Sequence, residues 1–224
     1  MAATDGRLRR TTGVGALLLA LAACMVVSPT TGVHGVGLPG TAATPPTTGW
    51  ISGEADKREL KRAAAAAGVP TLTDASVGYY MDVQESKLRE AVDGHGIGVA
   101  RRGYELTLSL PGALAFAAGS AELGAASRAV LAPIAAVLQQ YDKTVIEVAG
   151  HVDATLAPGT AEALSQRRAA AVAAFLEEHG VRKARVVAVG AGAAHPVAAD
   201  GSAQNRAKND RIELNLAPLT RATG

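Results

Sequence analysis

The chain has 224 residues, a length that suits one domain plus extensions. Some 48% of it is apolar, yet it holds only two phenylalanines and one tryptophan, so its core has to be built from Leu, Val, Ile and Ala. The formal charge is +2 with basic residues spread along the chain, which excludes the basic footprint of a nucleic-acid binder. With a single cysteine, no internal disulfide can form.

Arg7, Arg9 and Arg10 precede an apolar run over residues 14–23 that closes on Leu21-Ala22-Ala23-Cys24. A positive start, a short apolar stretch and small residues before a cut describe a secretory signal. The run is too short to span a bilayer, which takes about 20 apolar residues. Cys24 stands where a bacterial lipobox has its cysteine, a stretch that resembles the one read by lipoprotein signal peptidase. That resemblance implies removal of residues 1–23 and acylation of Cys24, and Met25 in the following position implies passage to the outer membrane. Acyl chains in number hold a protein firmly to lipid.

Residues 24–49 are rich in Thr, Pro and Gly, ending Pro45-Pro46-Thr47-Thr48-Gly49, and their composition cannot bury a core. They read as a tether that reaches about 80 Å when extended. No glycine zipper, with glycines at every fourth position, is evident. The segment 50–102 reads as helical. One helix is expected over 54–67, stopped by Gly68-Val69-Pro70, and another from Tyr79 to about Val92 that leans on the domain to follow.

That domain, expected over 103–220, opens with a strand in which Leu106, Leu108 and Leu110 alternate with Glu105, Thr107 and Ser109. A helix over 127–141 carries Val130, Leu131, Ile134, Val137, Leu138 and Tyr141 at helical spacing, with Pro133 inside it. A strand over 145–149, a helix over 161–179 with Thr160 as cap, and strands over 185–189 and 211–216 complete the order. Strands separated by helices predict an α/β fold of the α+β sandwich type, a small mixed four-stranded sheet with helices on one face.

The helix over 161–179 contains an anomaly. Leu164, Val172, Phe175, Leu176 and His179 recur at three- and four-residue steps, and Arg168 falls four residues from both Leu164 and Val172, on the buried stripe. An arginine there needs a partner, and Asp153 at the end of the preceding strand is the natural one. The two form either an internal salt bridge or a clamp for a zwitterion, with the carboxylate taking an ammonium and the guanidinium a carboxylate.

The spacing His151-x-Asp153, Leu164-Ser165-x-x-Arg168-Ala169, Gly180-Val181, Gly190-x-Gly192, Pro196 and Asn205-Arg206-Ala207-x-Asn209-x-Arg211-Ile212-Glu213 resembles the peptidoglycan-binding OmpA-like domain. Upstream, Tyr79-Tyr80-Met81-Asp82-x-Gln84-Glu85-x-x-Leu88-Arg89, Leu110-Pro111-Gly112, Phe116 and Gly119-Ser120-Ala121 resemble the OmpA-family outer-membrane lipoproteins. The resemblance covers about residues 78–217. It implies binding of the diaminopimelate side chain of the peptidoglycan stem, anchored by Asp153 and Arg168, with Val152, Ala161, Asn209 and Arg211 at the remaining ligand-facing positions.

Three positions depart from the family pattern. Val152 replaces the usual threonine, Ala161 replaces an asparagine, and Asn209-Asp210-Arg211 replaces an Asn-Arg-Arg run. At about 1.5 to 3 kcal/mol per charge-assisted hydrogen bond, losing one or two auxiliary contacts weakens binding by tenfold to several hundredfold.

The expected function is therefore a non-catalytic outer-membrane lipoprotein on the periplasmic face, tying the membrane to peptidoglycan through acylated Cys24, with no cofactor. The alternatives are a scaffold whose altered pocket engages an envelope protein, and an enzyme acting on the wall. Ser165, His151 and Asp153 are the residue types of a hydrolase triad, but no strand-to-helix nucleophile elbow surrounds Ser165. The His and Asp spacing fits no compact metal set, and Gly190-Ala191-Gly192 lacks the third glycine of a dinucleotide fingerprint. A flagellar stator protein would need an ionisable residue within a spanning helix.

Overall fold

The computed structural model describes residues 49–221. The expected signal, the lipidated Cys24 and the tether up to residue 48 lie outside the described residues.

The chain runs through α1 (Gly53–Ala66), α2 (Asp74–Ala91), β1 (Gly98–Arg102), β2 (Glu105–Pro111), a single turn α3 (Gly112–Ala115), α4 (Ala125–Gln140), β3 (Thr144–His151), α5 (Pro158–Glu178), β4 (Val186–Gly190), α6 (Ala203–Asn209) and β5 (Arg211–Pro218). The strands form one sheet in the order β1-β2-β5-β3-β4. Only β3 and β4 pair in parallel, as the α5 crossover between them requires; β1–β2, β2–β5 and β5–β3 are antiparallel. The fold is mixed α/β, and its sheet has five strands rather than the expected four. The additional strand, β1, escapes pattern reading because Gly98-Val99-Ala100-Arg101-Arg102 has no apolar alternation. It is an edge strand joined to β2 through Gly103, whose φ of +59° suits glycine.

Leu106, Leu108, Leu110, Ile146, Val148, Ile212, Leu214 and Leu216 form the core side of the sheet. Met81 and Leu88 of α2, Leu131, Ile134 and Leu138 of α4, and Val172 and Leu176 of α5 cover it. Pro133 sits inside α4 without ending it. In α5, Pro158 occupies the first turn and Ala157 the cap position, three residues ahead of Thr160. Proline is favoured there because its fixed φ is already helical and its missing N–H would have no partner.

Helices lie on both faces of the sheet, which corrects the expectation of one. The second face carries Thr107, Asn215 and Glu147 side by side on three strands. Thr107 Oγ1 donates to Asn215 Oδ1 at 2.8 Å, and Asn215 Nδ2 donates to Glu147 Oε1 at 3.1 Å. The chain entering α1 closes over this row, as the N–H groups of Ile51 and Ser52 donate to the Glu147 carboxyl at 2.8 and 2.9 Å. Ala64 and Val69 then pack with Val145, Ala217 and Leu219. Polar residues on alternate strand positions normally mark a solvated face. Here their hydrogen bonds to one another and to the incoming backbone allow them to be buried.

Arg185 is buried, and among the described residues no carboxylate forms an ion pair with it. Its guanidinium donates to the carbonyls of Thr144 at 2.6 Å, Leu138 at 2.7 Å and Tyr141 at 3.0 Å, and to Thr144 Oγ1 at 3.1 Å. It thereby ties the end of α4 to the start of β3.

Candidate peptidoglycan-binding site

Two close approaches place α5 against the sheet. A Cβ at Gly150 would lie 2.2 Å from the Ser165 carbonyl oxygen, and one at Gly190 2.6 Å from the Gln166 nitrogen. Both positions need glycine because the helix backbone fills the space a side chain would take. Ser165 secures the contact: its hydroxyl donates to the Glu162 carbonyl at 2.9 Å and accepts from Gly192 N–H at 2.9 Å. The buried hydroxyl thereby links α5 to the turn after β4.

With α5 in that position, Arg168 points into the domain with a side chain only 4% exposed. Its Nε donates to the Ser120 carbonyl at 2.8 Å, and its guanidinium lies 5.0 Å from the centroid of the Phe116 ring. Its ionic partner is Asp210, with Nη1 2.5 Å from Oδ1. Arg168 does not pair with Asp153. The Asp153 carboxylate sits in the loop after β3, where Oδ1 accepts from Thr155 N–H at 2.8 Å and from the Thr155 hydroxyl. Both bonds fall on one oxygen, so Oδ2 remains available to a donor. Burial, more than any other influence, holds the Asp210 carboxyl above its ordinary range; Arg168 opposes this and the charge of Asp153 adds to it.

Val152 and Ala161 are both buried and pack with Leu164 and the partly buried Ala121 into a small apolar cluster. The two departures that remove polar groups therefore fall on one spot, Val152 directly before Asp153 in the chain and Ala161 on the same helix as Arg168.

Asn209 and Arg211 are occupied internally. Asn209 Oδ1 accepts from Val197 and Ala198 N–H at 2.9 and 3.0 Å, while Nδ2 donates to Ala198 O at 2.8 Å and Asp200 Oδ1 at 2.6 Å. Arg211 alternates with Ile212 on β5 and so faces the side of the sheet opposite α5. There it binds Glu213 at 2.7 Å and the carbonyls of Asn209 and His195, each at 3.2 Å. Pattern reading noticed the reversed charge at Asp210 but not that it is the partner of Arg168. The one available signal was an acid placed where the pattern has a base.

His151 is buried behind this region with neither ring nitrogen hydrogen-bonded, and its nearest carboxylate oxygen, on Glu213, is 3.9 Å away. Burial first, and the charge of Arg211 second, bring its pKa down to about 3.

A mixed sheet packed against this helix, with its buried arginine and with an aspartate in the loop after β3, is the fold of the OmpA-like class of domain. Residues 115–210 match the OmpA family, and the chain carries an OmpA family domain. It is 41% identical over 143 residues to the probable lipoprotein YiaD of Escherichia coli, a match covering 64% of this chain and 65% of that protein. It is 32% identical over 103 residues to the peptidoglycan-binding protein ArfA of Mycobacterium bovis, covering 46% of this chain and 32% of that one. Among solved structures, the cell wall anchor of the T6SS from Pseudomonas aeruginosa superposes with a TM-score of 0.55 at 27% identity, covering 60% of this chain and 96% of that one. The chain thus spans just under two thirds of the first of these proteins and about a third of the second.

Proposed function

We propose that this protein is a non-catalytic lipoprotein that binds peptidoglycan through the diaminopimelate end of the stem peptide and tethers the outer membrane to the wall. The observation that carries the reading is that Asp153, with one carboxylate oxygen available, lies close enough to Asp210, the ion-pair partner of Arg168, for its charge to act on that carboxyl, inside an OmpA family domain. The peptidoglycan-binding relative and the cell wall anchor support it.

In this reading Asp153 takes the ligand ammonium and Arg168 its negative end. Val152 and Ala161 form the apolar wall beside them, and Asn209 and Arg211 hold the 195–200 loop in place from behind. Acylated Cys24 supplies the membrane end, residues 24–49 supply the reach, and 50–102 lead into the binding domain over 103–220. A single contact of this kind is weak, but many copies on a lattice hold by multivalency.

Retention of the full chain on purified sacculi tests the site. Asp153→Ala and Arg168→Ala should each release the protein while its thermal unfolding stays cooperative; undiminished retention of both variants refutes the clamp. Failure of the native chain to bind would favour the envelope-protein scaffold, and release of soluble wall fragments would expose an enzyme. Loss of acylation in Cys24→Ser, with transfer from the outer-membrane fraction to the soluble one, tests the anchor.

A further inference from the structure

Asp210 supplies Arg168 with a carboxylate from within the chain. A carboxylate held bidentately needs two neighbouring guanidinium nitrogens, Nε with Nη2 or Nη1 with Nη2. In this protein one nitrogen of each fork is already bonded, Nε to the Ser120 carbonyl and Nη1 to Asp210.

Asp210 is also seated rather than loose. Its N–H donates to Arg206 O at 2.9 Å and its carbonyl accepts from Gly112 N–H at 2.8 Å. Its carboxyl group fills the space left by the missing side chain of Gly112, where a Cβ would lie 2.6 Å from Asp210 Cγ. The side chain keeps 30% of its exposure, so it remains at the rim and within reach of a ligand. The rim therefore holds two carboxylates, Asp153 and Asp210, against one guanidinium, for a net charge of −1. The upward displacement of the Asp210 pKa includes a contribution from the charge of Asp153, so the two acids sense each other. A cation placed between them relieves that repulsion, whereas a second carboxylate adds to it.

We infer that Asp210 is the built-in counter-anion of Arg168, and that the site selects a stem side chain presenting an ammonium group without a free carboxylate beside it. That chemistry is found in diaminopimelate whose side-chain carboxylate is amidated and in a lysine at the same position of the stem. The inference rests on the stem-peptide site above and revises one contact in it: Asp153 still takes the ligand ammonium, while Arg168 keeps Asp210 as its carboxylate in place of one from the ligand.

The test is titration calorimetry of the full chain in detergent with three synthetic tripeptides, ending in free meso-diaminopimelate, in its side-chain carboxamide, and in L-lysine. The carboxamide and lysine peptides should each bind at least about tenfold tighter than the free zwitterion, the factor that corresponds to roughly one charge interaction. Whichever of the two binds tighter identifies the source of the ammonium. In Asp210→Asn, which keeps the shape and removes the charge, the ranking should invert. The native ranking is decisive even if that variant folds poorly. Equal or tighter binding of the zwitterion by the native protein, with binding still abolished by Asp153→Ala, overturns the inference and leaves the stem-peptide site standing. Absence of binding by all three peptides, together with sacculus retention indifferent to Asp153→Ala, removes the site and the inference together.

Discussion

Val152 and Ala161 meet in one buried apolar cluster although eight residues of chain lie between them. A threonine and an asparagine occupy these positions in the family pattern, and here both polar groups are replaced within the same cluster. Restoring one alone should be the worse change. Ala161→Asn is expected to cost about 1 to 3 kcal/mol, the penalty for a buried polar group without a partner. Val152→Thr together with Ala161→Asn should recover part of that loss and raise sacculus retention. Chemical denaturation of the single and the double variant checks the stabilities, and sacculus retention of the double variant checks the binding.

Gly150→Ala should separate α5 from β3, because the added Cβ would lie 2.2 Å from the Ser165 carbonyl oxygen, which is backbone and cannot swing aside. Overpacking of this kind costs about 1 to 3 kcal/mol. It also moves Arg168, so sacculus binding should fall at temperatures where the variant is still folded. Retention equal to native in a folded Gly150→Ala protein would show that the clamp does not depend on this approach.

Arg185→Ala is expected to destabilise by at least about 3 kcal/mol, since it leaves the carbonyls of Leu138, Tyr141 and Thr144 without their donor. Burial brings the pKa of this guanidinium down to about 10, so it stays protonated at neutral pH and keeps its donors. Arg185→Lys should recover only part of the loss, because a compact ammonium cannot reproduce a planar fork. Equilibrium urea unfolding measures the difference.

Glu147→Ala should free the start of α1. The carboxyl group accepts the N–H groups of Ile51 and Ser52 and the amide of Asn215, all of which lose their acceptor. Hydrogen exchange at residues 51–52 should rise well above its native rate, with less change in the strands of the core. Unchanged protection there would mean that packing of Ala64 and Val69 alone holds the helix.

His151 predicts a pH dependence of stability. Its folded pKa is about 3 and its unfolded value about 6.5, so between these limits the unfolded chain binds more protons than the folded one. The stability from keeping this ring neutral is fully present above about pH 6.5 and is lost as pH falls toward 3. Its slope approaches 1.4 kcal/mol per pH unit in the middle of that window. His151→Phe should flatten the slope between pH 6 and pH 4 in thermal unfolding.

Much of the fold was legible in the chain. The leucines at 106, 108 and 110 announced β2, and the stripe around Leu164, Val172 and Leu176 announced α5, because both expose a periodicity that only one structure satisfies. β1 and the short α6 were not legible: one has no alternation and the other is too short to show a period. The second helical layer was hidden for a different reason. Thr107, Glu147 and Asn215 look like residues facing water, and they are buried only because partners far apart in sequence meet there.

The same division runs through the candidate site. By itself, the sequence determined that Arg168 lies on a buried helical stripe and that Asp153 follows a strand nearby, since helical period and chain order are local properties. Tertiary structure decided which acid pairs with the arginine. Asp210 lies 42 residues away in the chain and reaches Arg168 only once β5 has entered the sheet and Gly112 has opened a place for its carboxyl group. An ion pair between distant residues depends on the closing of the fold, and no local period encodes it.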